Sequence, residues 1–356
     1  MFLKNLFLKN FRNHRELRLS FHQKGNLIFG ENGVGKTNVL EAITLLSTGK
    51  SFRASQLHPL INNESTYFFI QAELIREGVE QTLSIGYDGT KKKIEYNSTP
   101  MQSFSYLLGI IPSVLYSPKD INIIMGGPEE RRTFLNLNIG QLDPLYVHHL
   151  QRYHQCLDQR NSLLKKQSKN LMEFKSFEEP LALSAAYLYI KRKEYLTLLQ
   201  QELNRKTVKL SKQQEIYDLT YKPSLSAHHK DLVESFKETY HLYRPKELLL
   251  KTTLIGPHRD DFIIQKNNTD VKNFCSEGQK RTLLTGLKLG EWEILYKNLK
   301  HPPLLCLDDF GNHLDALRHE LLERHLEDFG QIFITSPHQF LEREFDLPRK
   351  SFHFQF

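Results

Sequence analysis

Gly30-Glu31-Asn32-Gly33-Val34-Gly35-Lys36-Thr37 decides the fold of this 356-residue chain. The apolar run Leu27-Ile28-Phe29 precedes it and Val39-Leu40-Glu41-Ala42-Ile43 follows, so the order is strand, glycine loop, helix. The spacing G-x4-G-K-T in that setting is a phosphate-binding loop. Its glycines let successive backbone N–H groups curl round the β- and γ-phosphates of a nucleotide without Cβ clashes. Lys36 then reaches the outer phosphates, the Thr37 hydroxyl coordinates Mg²⁺, and Asn38 continues into the helix. A glycine loop without a ligand is the competing reading, and the flanking strand and helix weigh against it.

The composition fits a chain that meets polyanions: 48 Lys and Arg stand against 41 Asp and Glu, a formal charge of +7. That excess is mild and equally describes an ordinary enzyme. The length implies about two domains. Cys156, Cys275 and Cys306 are odd in number and unpatterned, which argues against a disulfide framework or a zinc site and fits a reducing compartment. Met1 to Phe11 interrupts its apolar residues with Lys4 and Lys9, too soon for a signal peptide or membrane span, so a cytoplasmic chain is expected.

Along the first hundred residues the pattern predicts strands. Leu17, Leu19 and Phe21 alternate, Tyr67 to Ala72 forms an apolar run predicted to be buried, and Leu83, Ile85 and Tyr87 alternate again. A second sheet beside that of the glycine loop follows. From about Leu142 the period changes: Tyr146, Leu150, Tyr153, Leu157 and Leu164 line one face of a helix, and Ala186, Tyr187, Ile190, Leu198 and Leu203 line another that begins after Pro180. The apolar spacing breaks before clean heptads accumulate, so these helices form a compact inserted lobe rather than a coiled coil. The fold class expected is α/β, with mixed sheets flanked by helices. Residues 1–120 and 250–356 make the head, and 121–249 make the lobe.

Leu304-Leu305-Cys306-Leu307-Asp308-Asp309 is an apolar strand ending in two acids. Beside a phosphate loop this is the pattern that delivers Asp308 to the Mg²⁺ shell and Asp309 to the attacking water. Phe274-Cys275-Ser276-Glu277-Gly278-Gln279-Lys280-Arg281 opens a helix, and its serine, glycine and free N-terminus form a second anion site. Phosphate loop, serine-glycine signature and acidic strand end, in that order, are the arrangement of ABC-type ATPases. In those, the signature of one subunit closes on the nucleotide of another, so ATP joins a dimer.

With the strings Asn10-Phe11-Arg12-Asn13, Ser117-Pro118-Lys119-Asp120, Gly127-Pro128-Glu129-Glu130-Arg131-Arg132, Gln159-Arg160-Asn161 and Gly256-Pro257-His258-Arg259-Asp260-Asp261, the chain resembles the RecF family nearly end to end. RecF proteins are recombination and gap-repair ATPases of the SMC-like branch of the ABC class. The resemblance implies an ABC-type head with an inserted helical lobe, cofactors ATP and Mg²⁺, and an ATP-dependent homodimer on DNA. It implies slow, DNA-stimulated hydrolysis that serves as a switch, and work with RecO, RecR and RecA. Gly30 to Asn38 and Arg12 would then bind nucleotide, Lys36 and Asp309 would act in hydrolysis, and Thr37 and Asp308 would hold the metal. Ser276, Gly278 and Gln279 would reach the partner's ATP, and Asp315 would be the D-loop acid.

The chain departs from the family pattern at Cys275, Glu277 and Lys280 of the signature and at Asn312-His313, ahead of Leu314-Asp315. No switch histidine is evident besides His338, which reads first as a surface residue. Ser117 to Asp120 stands where a Q-loop is expected, and Arg12 reads nearly as well as a salt-bridge residue. Asp309, one methylene shorter than a glutamate, favours slow turnover. Lys91-Lys92-Lys93, Arg131-Arg132, Lys165-Lys166 and Lys191-Arg192-Lys193 are basic runs able to meet DNA phosphate without reading sequence. A transporter ATPase lacks so long an insertion, an SMC chromosome protein needs long heptad tracts, and a small-molecule kinase has no signature helix. Another SMC-like or ABC-type ATPase with a different partner stays open as the alternative.

Overall fold

The structure is a computed structural model, which describes residues 1–210, 215–225, 231–299, 301–309, 329–337 and 349–354. Two compact units divide the chain. The first comprises Met1–Asp120, Lys206–Gln213 and Glu277–Phe356, and the second Ile121–Arg205 and Gln214–Ser276. The boundary expected at 250 therefore moves: residues 250–276 belong with the inserted unit, because strand pairing ties them there.

The first unit opens with β1 (Phe2–Phe11), β2 (His14–Ser20) and β3 (Gly25–Gly30), and α1 (Lys36–Thr48) follows the glycine loop. Then come β4 (Phe68–Arg76), β5 (Val79–Tyr87), β6 (Lys92–Tyr96), β7 (Thr99–Pro100) and β8 (Ser113–Tyr116). Strands β2-β1-β4-β5-β6-β7 form an antiparallel sheet in that order. In β1 the buried residues Leu3, Leu6, Leu8 and Phe11 are not spaced by two throughout. A register shift between Leu3 and Asn5 and a left-handed Asn10, φ 53°, insert the extra residues that return all four to one face. Strand β4 alternates as well: Phe68, Ile70 and Ala72 are buried while Tyr67 is exposed and Phe69 half-buried, so the predicted continuous burial gives way to a sheet with one wet face.

In the second unit come α2 (Asn122–Met125), α3 (Pro128–Leu142), α4 (Pro144–Lys165) and α5 (Leu171–Leu210), whose end from Lys206 belongs to the first unit. They are followed by β9 (Asp218–Lys222), α6 (Leu232–Leu250), β10 (Asp261–Lys266), β11 (Thr269–Asp270) and α7 (Val271–Phe274). The helix expected after Pro180 starts at Leu171 and runs through that proline. Phe174, Leu181 and Ala182, buried on either side of Pro180, supply packing that offsets the missing hydrogen bond. Asp143 caps α4 by accepting from Leu145 and Tyr146 N–H, and Asp231 caps α6 in the same way. A three-stranded sheet, β11-β10-β9, lies within this lobe. Its pairing of Phe262 with Tyr221 carries the segment after 250 into the second unit.

The chain re-enters the first unit as α8 (Glu277–Asn298), β12 (Leu304–Leu307), β13 (Ile332–Ser336) and β14 (Arg349–Phe354). Here the sheet is parallel, in the order β14-β3-β13-β12-β8. Helix α1 packs into a core shared with both sheets, where Val39, Leu40, Ile43 and Leu46 meet Leu6, Ile28, Ile70 and Phe333. Each such buried side chain contributes about 1.5–3 kcal/mol. Buried nearly all round, α1 holds one acid in this apolar setting, Glu41, which is fully inaccessible.

Candidate nucleotide site

At the C-terminal ends of the parallel strands β3, β12 and β13, and around the start of α1, lies a cavity of about 900 Å³. This is where ligands collect in parallel α/β sheets. The glycine loop forms one wall. Gly30, Gly33 and Gly35 all have positive φ, at 146°, 91° and 104°. A Cβ at Gly35 would lie 2.6 Å from both Asn13 Oδ1 and His14 Nε2, so no side chain fits. Asn13 and His14 brace the loop through Gly33 and Gly35 carbonyls, and Asn38 donates to Asn13 Oδ1 at 2.7 Å. Burial pushes the His14 imidazole below its ordinary pKa, which favours the neutral ring beside the loop.

Lys36 Nζ donates to the carbonyls of Gly30 and Glu31, both at 2.6 Å. Burial pulls its pKa down, against the opposing pull of Asp309 and Asp308. Thr37 Oγ1 donates to Asp308 Oδ1 at 2.9 Å, and Thr335 Oγ1 donates to the same oxygen at 2.8 Å. Burial raises the pKa of Asp308 even so, with Asp309 adding to the rise. Asp309 takes a left-handed backbone, φ 55°, and its N–H donates to Thr335 Oγ1 at 2.9 Å, which turns the chain out of β12 toward the cavity. Buried carboxylate and hydroxyl oxygens fit a hard divalent cation of the Mg²⁺ type, which takes few protein ligands and completes its shell from phosphate and water.

Arg12, also with a positive φ of 54°, lines the cavity but is fixed to Glu41 by two hydrogen bonds of 2.9 and 2.6 Å. The expected salt bridge is thus present, in a side chain that also lines the cavity. Ser51 Oγ donates to the same carboxylate, and Arg53 approaches it at 3.8 Å while donating to Asn38 Oδ1. Ser117, Pro118 and Lys119 line the cavity too.

Ser276 is exposed and belongs to the second unit, and Gly278 and Gln279 begin α8 in the first. Gly278 and Gln279 are not among the residues lining the cavity. Phe274 beside them is largely exposed, and Lys280 pairs with Glu277 at 3.3 Å. Asp315 and His338 lie outside the described residues.

Over residues 2–347 the chain matches the RecF/RecN/SMC N-terminal domain family. It is 39% identical over 343 residues to DNA replication and repair protein RecF of Protochlamydia amoebophila, covering 94% of each chain. With the protein of the same name from Chlamydia abortus it shares 40% identity over 351 residues, 96% of this chain and 94% of the relative. The chain belongs to the RecF family. A solved structure of the recombination mediator RecF with ATP, in the RecFOR pathway, matches with a TM-score of 0.90 at 33% identity, covering 99% of this chain and 95% of that one. An Smc head domain from Pyrococcus furiosus shares the fold, with a TM-score of 0.54 at 16% identity over 97% of this chain and 92% of that one. The fold of this RecF-family chain is that of an ABC-type ATPase head bearing an inserted helical lobe.

Within that frame, several of the resemblance strings prove to be internal scaffolding. Arg131 forms a bidentate pair with Asp261 at 2.7 and 2.8 Å, Arg132 donates to the Asp260 carbonyl, and Arg192 is buried against Tyr146, Pro257 and Asp260. Arg131 and Arg192 are therefore not the solvated charges that the basic runs imply, whereas Lys91 to Lys93, Lys165 and Lys166 are exposed. Two cavity residues, Thr335 and Arg53, and Glu41 buried behind Arg12, are not singled out by the sequence patterns. Thr335 gains its position from remote pairings, its own with Ile28 and that of Ile334 with Leu307. Glu41 carries a visible signal, a lone acid inside an apolar helix, while Arg53 carries none. The three cysteines are free. Among the described residues no helix is long and apolar enough to cross a membrane.

Proposed function

We propose that this chain is an ATP-hydrolysing, DNA-binding protein of recombinational and gap repair. The observation that carries the reading is the gathering of Lys36, Thr37, Asp308 and Asp309 round one cavity at the start of α1. Backbone N–H groups of Gly30 to Asn38 receive the phosphates, aided by the positive end of α1. Lys36 exchanges its two carbonyl partners for phosphate oxygens, and Arg12, pinned by Glu41, presents its remaining face to the nucleotide. Thr37 and Asp308 would hold Mg²⁺, which when bound would neutralise charge on the phosphate oxygens. Asp309 orients the water that attacks the γ-phosphorus and accepts its proton as the bond to ADP breaks. Its short side chain favours slow turnover, so hydrolysis times a state.

That state is a homodimer in which Ser276, Gly278 and Gln279 of one subunit close on the ATP of the other, with Asp315 as the D-loop acid. DNA binds without sequence preference, through phosphate contacts that weaken as salt rises. RecO and RecR assist at gapped or junction-containing duplex to load RecA, in a cytoplasmic setting. Sedimentation with ATP tests this: wild type dimerises and Ser276→Arg does not, with nucleotide affinity retained. Hydrolysis measured with and without gapped DNA completes the test. A monomer in ATP, or a rate indifferent to DNA, overturns the reading.

A further inference from the structure

On its wet face the antiparallel sheet carries a groove of about 820 Å³ that the nucleotide chemistry leaves unused. A row of directly opposed residues crosses it: Glu16, Lys9, Phe69, Gly86 and Lys93 on β2, β1, β4, β5 and β6. Gly86 has no side chain, and an added Cβ would only touch the Phe69 ring at 3.7 Å, so the ring rests over the bare strand. Phe7 lies beside it, ring centroids 6.2 Å apart, with the Arg18 guanidinium 4.6 Å from the Phe7 centroid.

The charge balance of the groove lining is one-sided. Its two acids are occupied, Glu16 by Arg18 and Asp88 by the backbone and hydroxyl of its own turn, and Glu73, farther along the same face, accepts from Asn5. Lys9 and Lys91 form no ion pair among the described residues, and Lys93 holds only Glu95 at the rim. At sheet spacing, Lys9 stands about 5 Å and Lys93 about 10 Å to either side of Phe69. Half-buried rings set between cations are the chemistry that receives unpaired bases and their phosphates. A duplex keeps its base faces stacked inside and offers this surface phosphate alone, and an acidic peptide has no use for the rings.

We infer that this sheet face binds single-stranded nucleic acid, with a base stacked on Phe69 and neighbouring phosphates on Lys9 and Lys93. The inference rests on the nucleic-acid part of the proposed function and is independent of its nucleotide part. Fluorescence anisotropy of labelled oligothymidylate on the full chain, at low salt and without nucleotide, tests it. Phe69→Ala weakens single-strand binding by about five-fold to a hundred-fold and leaves duplex binding unchanged. Lys9→Gln with Lys93→Gln lowers the salt slope by about 1.4. Phe69→Trp keeps affinity, and its indole is quenched by the oligonucleotide, which guards against a mere folding defect.

An unquenched indole, an unchanged affinity in Phe69→Ala, or equal losses for duplex and single strand overturns the inference. Competition by polyglutamate as strong as by oligothymidylate also overturns it and assigns the face to an acidic protein segment. If wild type binds duplex but no single strand, this inference alone falls. If it binds neither, the nucleic-acid part of the proposed function falls with it.

Discussion

The nucleotide cavity and the polar interior of the second unit treat charge in opposite ways. In the second unit, Arg160 is wholly buried between Glu178 at 3.0 Å and Glu247 at 2.7 Å, with Thr253 and the Tyr240 carbonyl taking further N–H groups. Asp260, also buried, accepts from Ser224 N–H and hydroxyl and from Tyr221, and pairs with Arg192. Each of those charges is answered within the unit. In the cavity, Lys36 is held by neutral carbonyls and Asp308 by neutral hydroxyls, and burial moves both away from their charged forms. Charges left half-answered there are available to a ligand, while charges fully answered in the lobe hold a shape.

Asp309→Asn should divide the two regions most sharply: hydrolysis falls by about 10²- to 10⁴-fold while ATP affinity and the urea midpoint stay near wild type. A midpoint that falls with activity would mean that Asp309 is structural. The counterpart is Arg160→Ala, which strands the buried Glu247 carboxylate, while Glu178 keeps Arg244, and costs about 3–5 kcal/mol in urea unfolding. Little change there would break the contrast.

Opposite pH signs follow next. Burial holds the Asp308 carboxyl above its ordinary value of 3.8, so the folded chain binds that proton more tightly than the unfolded one. Stability from this group is present at low pH and is lost as pH rises through the folded value. Asp308→Asn therefore raises the neutral-pH melting temperature although it removes the proposed metal ligand. In the lobe, burial pushes His258 down to about 4 from 6.5. The unfolded chain then binds more protons in that window, and stability is lost as pH falls from 6.5 toward 4. His258→Gln flattens that limb, and urea midpoints from pH 4 to 7 read both signs. The smallest effect is Thr335→Val, which removes the hydrogen bonds with Asp308 and with the Asp309 N–H for about 1–2 kcal/mol and raises the magnesium needed for half-maximal hydrolysis.

The cavity was largely legible because its chemistry is local: Gly30 to Thr37 announce their conformation by spacing, and Leu304 to Asp309 read as strand and strand end. The lobe hid its logic because its partners are remote. Nothing near Arg131 signals Asp261, and nothing near Arg160 signals Glu247, so both arginines read as surface charge or family signature. Strand β9 was missed since five residues with a single buried position carry too little alternation, and β10 supplies its reason to exist. Tyr67 to Ala72 misled in the other direction, because aromatic residues on a wet face look apolar in one dimension.

Strand β3, which leads into the glycine loop, is flanked by β13 and β14, and a Cβ on Gly30 would collide with the Phe354 carbonyl at 2.2 Å. The loop's letters leave the ribosome early, yet both neighbours of its parent strand come from beyond residue 331. At ordinary elongation rates, Leu27, Ile28 and Phe29 wait roughly 15 to 65 s with both edges bare, an invitation to holding chaperones. Nucleotide capture is thereby tied to synthesis of the strands that begin at residue 332, and a chain stalled before them owns the motif without owning the site.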